Sequence, residues 1–130
     1  MGTEQNAGQG EKVGSLETVV LDTRDPRGLA GFYAKLIGAK VVTEDETWVT
    51  IADDDGRRLS FQRSPEHGAP KFPDPAGAQQ FHLDIRVTDV DAAERQVLAL
   101  GATRVPDAHE DNTFRVFRDP AGHPFCLVWD

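Results

Sequence analysis

The feature that most constrains the fold of this chain is an internal repeat, in which residues that typically begin or end helices and turns recur in the same order. Gly38-Ala39 recurs as Gly101-Ala102, and Asp25 recurs as Asp89. The remaining matches, at an offset of 66 residues, are Thr47-Trp48 with Thr113-Phe114, Asp53 with Asp119, and Gly56 with Gly122. Because agreement in order across a whole module is rare by chance, the repeat predicts two copies of one supersecondary unit.

The first copy has the pattern of a strand, a helix and three further strands. The β-branched, apolar run 16–22 predicts a strand, and Asp25-Pro26 is typical of a helix N-terminus. Apolar residues at helical spacing follow, and Gly38 ends the helix. Of the last three strands, one is predicted to start at Val41-Val42 and the others to span 48–52 and 59–63, with a turn at Asp53-Asp54-Asp55-Gly56.

The second copy repeats this order, with a strand at 81–87, a helix at 89–100, and strands at 113–118 and 124–129. The Pro- and Gly-rich segment between the copies is predicted to be a linker. The N-terminal residues hold too few apolar side chains to offset the entropy of ordering, so a flexible tail is predicted there. The predicted organisation is a tail at 1–14, a βαβββ module at 15–63, a linker at 64–77 and a second βαβββ module at 78–130.

Composition narrows the classes of partner and location. The 130 residues carry a formal net charge of −8, which argues against nucleic acid because such partners require a basic face. No apolar run is long enough to span a bilayer, and the N-terminus lacks the apolar region of a secretory signal. The single cysteine, Cys126, excludes an intramolecular disulfide. A cytoplasmic protein with no membrane partner is expected.

Three segments together resemble the vicinal-oxygen-chelate superfamily, which includes glyoxalases, bleomycin resistance proteins and ring-cleaving dioxygenases. They are the helix segment Asp25-Pro26 through Phe32-Tyr33 to Gly38, the strand Gln80-Phe81-His82-Leu83-Asp84, and the closing turn from Arg118-Asp119-Pro120 to Phe125. The resemblance covers residues 15–130. It implies an α+β fold in which two βαβββ modules form a curled mixed sheet, a half-barrel around a cavity, with the helices on the convex face.

The resemblance also implies where a metal would bind. Metal-dependent members place His or Glu at equivalent points on the first and last strands of each module. Those positions hold Thr18, Ser60, His82 and Cys126 in this sequence. A hard divalent cation prefers carboxylate and imidazole ligands, and one imidazole with one thiol is too few for an ordinary closed site. No metal and no cofactor are therefore expected, and the chain is similar to metal-free members such as drug-binding resistance proteins.

Strand alternation predicts which side chains line the cavity. Phe81, Leu83, Ile85 and Val87 form one apolar face, so His82, Asp84 and Arg86 share the opposite face. His82 with Asp84 is a candidate catalytic acid/base pair, and the alternative is that His82 is only a satisfied polar residue on a wet sheet face. Arg86 is a candidate for holding a ligand carboxylate, or else forms a surface ion pair.

The same alternation predicts further ligand-binding residues, namely Thr18, Ser60, Gln62 and Cys126. Trp48 and Phe114 occupy matching positions in the repeat, where they form either an aromatic clamp for a flat ligand or part of the core. Cys126 has no activating partner nearby in the sequence, so an inert buried thiol is favoured over a nucleophile.

The predicted function is binding of a small organic molecule in a cavity without a complete metal site, in a sequestration or resistance role. The alternative is a lyase, an isomerase or another small-molecule enzyme of the superfamily that uses His82 as acid/base or in an incomplete metal site. A third class is a structural or regulatory protein whose cavity is vestigial. The superfamily commonly buries module edges against a second subunit, so a homodimer is predicted. The sequence leaves open whether the modules pair within one chain or across the dimer.

Overall fold

A computed structural model describes residue 12 and residues 14–70, 81–106, 108 and 110–130. Most of the predicted tail at 1–14 and residues 71–77 of the predicted linker lie outside the described residues. Within the described residues, no helix has both the length and the apolar character needed to cross a membrane.

The first module contains all five predicted elements. They are β1 (Val19–Thr23), α1 (Pro26–Ile37), β2 (Lys40–Glu44), β3 (Trp48–Ala52) and β4 (Arg58–Arg63). The first strand begins three residues later than the sequence pattern predicts, and Thr18 lies immediately before it.

The second module has the same order of elements. They are β5 (Leu83–Arg86), α2 (Val90–Ala99), β6 (Thr103–Arg104), β7 (Phe114–Arg118) and β8 (Pro124–Val128). The sequence pattern does not predict β6, because a strand of two residues is too short to show alternation.

Each module forms its own four-stranded sheet, and the two sheets share one topology. Sheet 1 has the order β1-β4-β3-β2, and sheet 2 has the order β5-β8-β7-β6. The first strand of each module runs parallel to the last, and the other pairs are antiparallel. The predicted α+β fold of two βαβββ modules is confirmed. Among the described strands, β1 and β5 each have a neighbour on one side only, so the two sheets do not join within the chain.

The ends of both helices are set by local side-chain chemistry that the sequence predicts. The Asp25 carboxylate accepts the backbone N–H of Gly28 at 3.0 Å, and the Asp89 carboxylate accepts that of Ala92 at 3.1 Å. Gly38 caps α1 with φ of 69°, a left-handed conformation that glycine adopts without steric cost.

One hydrophobic core serves both modules. Tyr33 of α1 stacks on Phe61 of sheet 1 with ring centroids 5.7 Å apart, and Phe32 of α1 contacts Phe125 of sheet 2 at 5.8 Å. The core also holds buried residues of both sheets and both helices, including Leu21, Val49, Ile51, Val97, Phe117 and Leu127. The core-facing side of each sheet is termed its inner face. By strand alternation, the outer faces point away from the shared core.

A buried hydrogen bond also joins the modules. The Tyr33 hydroxyl donates to the Asp119 carboxylate at 2.6 Å, and Asp119 lies in the turn between β7 and β8. Asp119 also accepts the backbone N–H groups of Ala121 and His123, so its buried carboxylate has several donors. Burial, followed by the charge of Asp119, raises the pKa of Tyr33 far above its ordinary value, so the hydroxyl remains a donor.

Candidate functional site

The outer face of sheet 1 carries a chain of hydroxyl groups that ends at an indole. The Thr18 and Ser60 hydroxyl oxygens lie 2.9 Å apart, and those of Ser60 and Thr50 lie 2.7 Å apart. The Trp48 indole N–H donates to the Thr50 hydroxyl at 2.8 Å. Ser60 and Thr50 are buried, and their hydroxyls satisfy one another there. The bond from Trp48 to Thr50 also fixes the orientation of the half-buried indole.

A second row of side chains crosses the same face. Strand register aligns Asp22 of β1 with Gln62 of β4, and Gln62 with Trp48 of β3. Asp22 and Gln62 are exposed. Within the part of the chain that the structure describes, neither side chain takes part in a hydrogen bond or ion pair. This row therefore offers one carboxylate, one amide and one aromatic ring to solvent.

The outer face of sheet 2 places the candidate acid/base pair together. His82 lies immediately before β5, and its Nε2 lies 3.1 Å from Oδ1 of Asp84. The side chains are 37% and 57% exposed, so a solvent-borne molecule can reach them. Because a carboxylate only accepts, Nε2 is the donor in this contact, and Nδ1 of the neutral ring remains as an acceptor.

Cys126 completes this group of side chains beneath the pair. The ligand atoms of His82, Asp84 and Cys126 all lie within 4.8 Å of one another. Burial, then the charge of Asp84 and a hydrogen bond to it, raises the pKa of the Cys126 thiol to about 11. The neutral thiol is therefore favoured near neutral pH, and a neutral thiol is a weak nucleophile.

These groups are a poor match to the divalent metal of the family. Thr18 and Ser60, which occupy two of the four ligand positions, are hydrogen-bonded to each other. His82, Asp84 and Cys126 are the described residues that could hold an ion, and together they offer one imidazole, one carboxylate and one thiol. The donor set therefore does not suit a hard cation.

Arg86 and Phe114 lie further along the outer face of sheet 2. Arg86 donates to the Asp130 carboxylate at 3.0 Å, and both side chains are largely exposed. Phe114 packs with Val116 and Cys126 in a small cluster separate from the shared core. Phe114 therefore makes apolar contacts on the predicted face. An aromatic clamp formed by Phe114 and Trp48 stays a prediction.

Two residues of this region are absent from the sequence-based set. Thr50 shares the face of Trp48 by strand alternation, so period-two counting along β3 would have found it. Glu110 accepts the backbone N–H of Val116 at 2.7 Å and pairs with Arg104. Its charge contributes to the raised pKa of Cys126. Glu110 lies outside regular structure, where no periodic signal points to it.

The two halves of the predicted site meet at one cleft, which Thr18, Asp84 and Arg86 line, but within the described part of the chain they do not bond to each other. No hydrogen bond or ion pair among the described residues joins the sheet 1 set (Thr18, Trp48, Ser60, Gln62) to the sheet 2 set (His82, Asp84, Arg86, Phe114, Cys126). Each half lies on the outer face of its own sheet.

A cleft of about 710 Å³ lies between the strand edges of the two modules. Residues 16–19 at the start of β1 and residues 83–86 of β5 form its two sides, and Leu36 and Ile37 of α1 are also part of its lining. Of the predicted site residues, Thr18, Asp84 and Arg86 line it. The cleft therefore adjoins the predicted site without enclosing His82.

Comparison with known proteins supports the fold and the family. A sequence profile described as glyoxalase-like domain matches residues 18–128. No curated protein matches the sequence. The solved structures similar to this chain include a glyoxalase/bleomycin resistance protein/dioxygenase family enzyme from Burkholderia phytofirmans, 20% identical, with a TM-score of 0.64 over 86% of this chain and 95% of that one.

Two further structures have the same fold. The genomically encoded fosfomycin resistance protein of Listeria monocytogenes is 14% identical, with a TM-score of 0.68 over 92% of this chain and 95% of that one. A glyoxalase-related enzyme from Fulvimarina pelagi is also 14% identical, with a TM-score of 0.64 over 89% of this chain and 88% of that one.

Proposed function

Because the chain belongs to the glyoxalase-like domain family of the vicinal-oxygen-chelate superfamily, we propose that it binds a small organic molecule without a complete metal site. The role that fits best is binding, sequestration or resistance. His82 and Asp84 are the central contacts, and the surrounding contacts are Thr18, Trp48, Ser60, Gln62, Arg86, Phe114 and Cys126.

The observation that carries this proposal is the exposed His82–Asp84 pair. In this pair the imidazole is oriented by a carboxylate at 3.1 Å, while its other nitrogen has no partner among the described residues and can accept a hydrogen bond from a ligand. The apolar cluster around Cys126 and Phe114 supplies contact area beside it.

The second candidate is a lyase or isomerase of the same superfamily. The same contact favours it, because an imidazole oriented by a carboxylate is a suitable general base when a substrate places an acidic proton near Nδ1. Turnover of a recovered ligand would distinguish the enzyme from the binding protein.

We further propose a homodimer in which the two halves of the site come from different chains. The outer face of sheet 2 leaves His82 and Asp84 exposed, so one chain does not enclose a ligand there. The strand edges of β1 and β5 flank a cleft lined by apolar side chains such as Leu83 and Ile85. Pairing of β1 with β5 of a second copy would cover both edges and place Thr18 near His82 of the partner subunit.

Native mass spectrometry of protein purified from its own host tests the proposal, because it detects bound ligand, metal and subunit number together. We expect an organic ligand and no stoichiometric Zn, Fe, Mn or Ni by elemental analysis. His82→Ala should then weaken binding of that ligand about tenfold, the size of one hydrogen bond. Stability should change by less than about 0.5 kcal/mol, because the side chain is partly exposed.

Two outcomes would contradict this proposal. About one divalent metal per chain would show that the donor set does hold a metal. A His82→Ala protein that loses several degrees of melting temperature and keeps its affinity would show that His82 is a packing residue and that the site lies elsewhere.

A further inference from the structure

We propose that the outer face of sheet 1 binds the cationic amine group of the ligand, with Asp22 as counter-ion and Trp48 as the aromatic contact. The inference rests on the proposed function and adds the chemical class of the ligand, an organic ammonium ion with an apolar body. Asp22, Gln62 and Trp48 form one row across three adjacent strands of this face.

The first step of the argument is the hydrogen-bonding state of the face. Three of its hydroxyl groups, those of Thr18, Ser60 and Thr50, are bonded in a chain, and the indole N–H is bonded to Thr50. The hydroxyl oxygens keep unused lone pairs, so this chain of groups can more readily accept a bond from a ligand that donates than give one. The Asp22 carboxylate and the Gln62 amide are among the groups of this face that have no partner among the described residues.

The second step is the charge that those groups attract. An ionised carboxylate only accepts hydrogen bonds, and an amide oxygen also accepts, so the pair suits a ligand that donates several bonds. A protonated amine has this property and carries the complementary charge. No cationic side chain of the described residues pairs with the Asp22 carboxylate, and the nearby His123 ring bonds the Asp22 backbone carbonyl at 2.6 Å.

The third step is the aromatic ring at the other end of the row. The hydrogen bond from Trp48 to Thr50 holds the indole in one orientation on the sheet, where it is partly exposed. A cation over an indole face gains about 0.5–2 kcal/mol, depending on its desolvation. The net charge of −8 also favours the approach of a cation over that of an anion.

The corresponding row of sheet 2 would not bind a cation in this way. Strand register aligns Arg86 with Val128 and Val128 with Phe114, so a guanidinium and an aliphatic side chain stand where sheet 1 has Asp22 and Gln62. The two rows therefore differ in charge, which favours the row of sheet 1 for the ammonium group.

The test uses three probes of similar size on the full chain, namely phenethylammonium, neutral 2-phenylethanol and anionic phenylacetate. Binding is followed through the Trp48 indole N–H resonance, assigned with Trp48→Phe, and through the His82 ring resonances. We expect phenethylammonium to bind about tenfold more tightly than the neutral probe, and Asp22→Asn to remove that difference. The matched control is Asp54→Asn, which removes the same charge from an exposed turn and should leave affinity within about twofold.

Three results would overturn the inference. They are equal affinity for the charged and neutral probes, equal effects of the two substitutions, and no shift of the Trp48 resonance by any probe. Binding of the neutral or anionic probe that perturbs His82 and is independent of Asp22 would reject the ammonium subsite while leaving the proposed function intact. Failure of the proposed function would be recognised separately, because that proposal is tested by the effect of His82→Ala on binding of the native ligand.

Discussion

At the scale of single residues, strand alternation decides which side chains are available for chemistry. Cys126 illustrates this, because its neighbours Phe125 and Leu127 lie in the shared core while Cys126 packs in the small cluster of the opposite face. The thiol is buried there beside Asp84, and this environment opposes its ionisation. A residue that looks reactive by type is thus held in its neutral form.

The thiol of Cys126 should therefore ionise only in strong base. Its pKa of about 11 lies above the ordinary value of 9.0, so the folded state opposes loss of the proton. This contribution to stability is fully present below pH 9 and is lost as the pH rises through 11, by an amount on the order of 2 kcal/mol. Thiolate absorbance against pH measures the titration directly.

Cys126→Ala is the control for that titration, because other groups also ionise in base. The stability difference between the parent protein and this variant should shrink between pH 9 and 11. Asp84→Asn should lower the thiol pKa, since it removes both a negative charge and an acceptor. An ordinary thiol pKa in the parent protein would contradict the buried environment.

Sequence reasoning is sufficient for residues on regular strands and insufficient for residues in loops. Alternation predicts His82 and Asp84 as a pair, and they lie 3.1 Å apart. It does not predict Glu110, because the approach of Glu110 to Cys126 depends on a loop path that has no period. Nor does it predict the separation of the site into two faces, because alternation gives the face of a strand but not the position of one sheet relative to another.

At the scale of elements, backbone conformation sets the limits of α1. Gly31 lies within the helix and Gly38 caps it in the left-handed region, and a Cβ at either position would meet nothing within 4 Å. The two glycines thus differ in backbone conformation alone. The repeat that predicts both helices depends on residues such as Gly38, which end helices. The predicted order of elements is therefore correct even where strand ends differ from the predicted bounds.

Gly31→Ala and Gly38→Ala should therefore change stability in opposite directions. Alanine is favoured over glycine inside a helix by about 1 kcal/mol, so Gly31→Ala should stabilise the protein. At φ of 69°, alanine costs about 1–2 kcal/mol, so Gly38→Ala should destabilise it. Urea denaturation of the two variants measures both signs, and the same sign for both would refute the conformational account.

At the scale of the whole molecule, two features join the two repeated modules. The shared core and the hydrogen bond from Tyr33 to Asp119 hold the modules together within the chain. One edge of β1 and one edge of β5 have no neighbouring strand among the described residues. The sequence predicts each module. It does not predict which surfaces join the modules and which strand edges stay without a neighbour, because this depends on packing between distant segments.

Tyr33→Phe should weaken the connection between the modules. The substitution keeps the ring and removes the donor at 2.6 Å from the buried Asp119 carboxylate, which should cost about 1–3 kcal/mol. A double-mutant cycle with Asp119→Asn, followed by chemical denaturation, isolates the contribution of this pair. A coupling energy near zero would mean that the backbone donors of the turn satisfy Asp119 by themselves.

The proposed dimer predicts that a charge in the cleft between β1 and β5 should separate the subunits. Leu16 is 84% exposed in the single chain and lines this cleft, so Leu16→Asp should favour monomers without unfolding the protein. Leu98→Asp is the matched control, since Leu98 is an exposed apolar residue of α2 outside the cleft. Light scattering at micromolar concentration measures both, and a monomeric parent protein would count against the dimer.

Because the two faces of each strand have different roles, they affect how the sequence of such a protein can change during evolution. Along β4, Phe61 is anchored in the core, while Ser60 and Gln62 on either side of it face outward. Selection for a new ligand can therefore act on every second residue and leave folding to the residues between them. Because the scaffold is duplicated, one half can also acquire new specificity while the other retains the ancestral contacts.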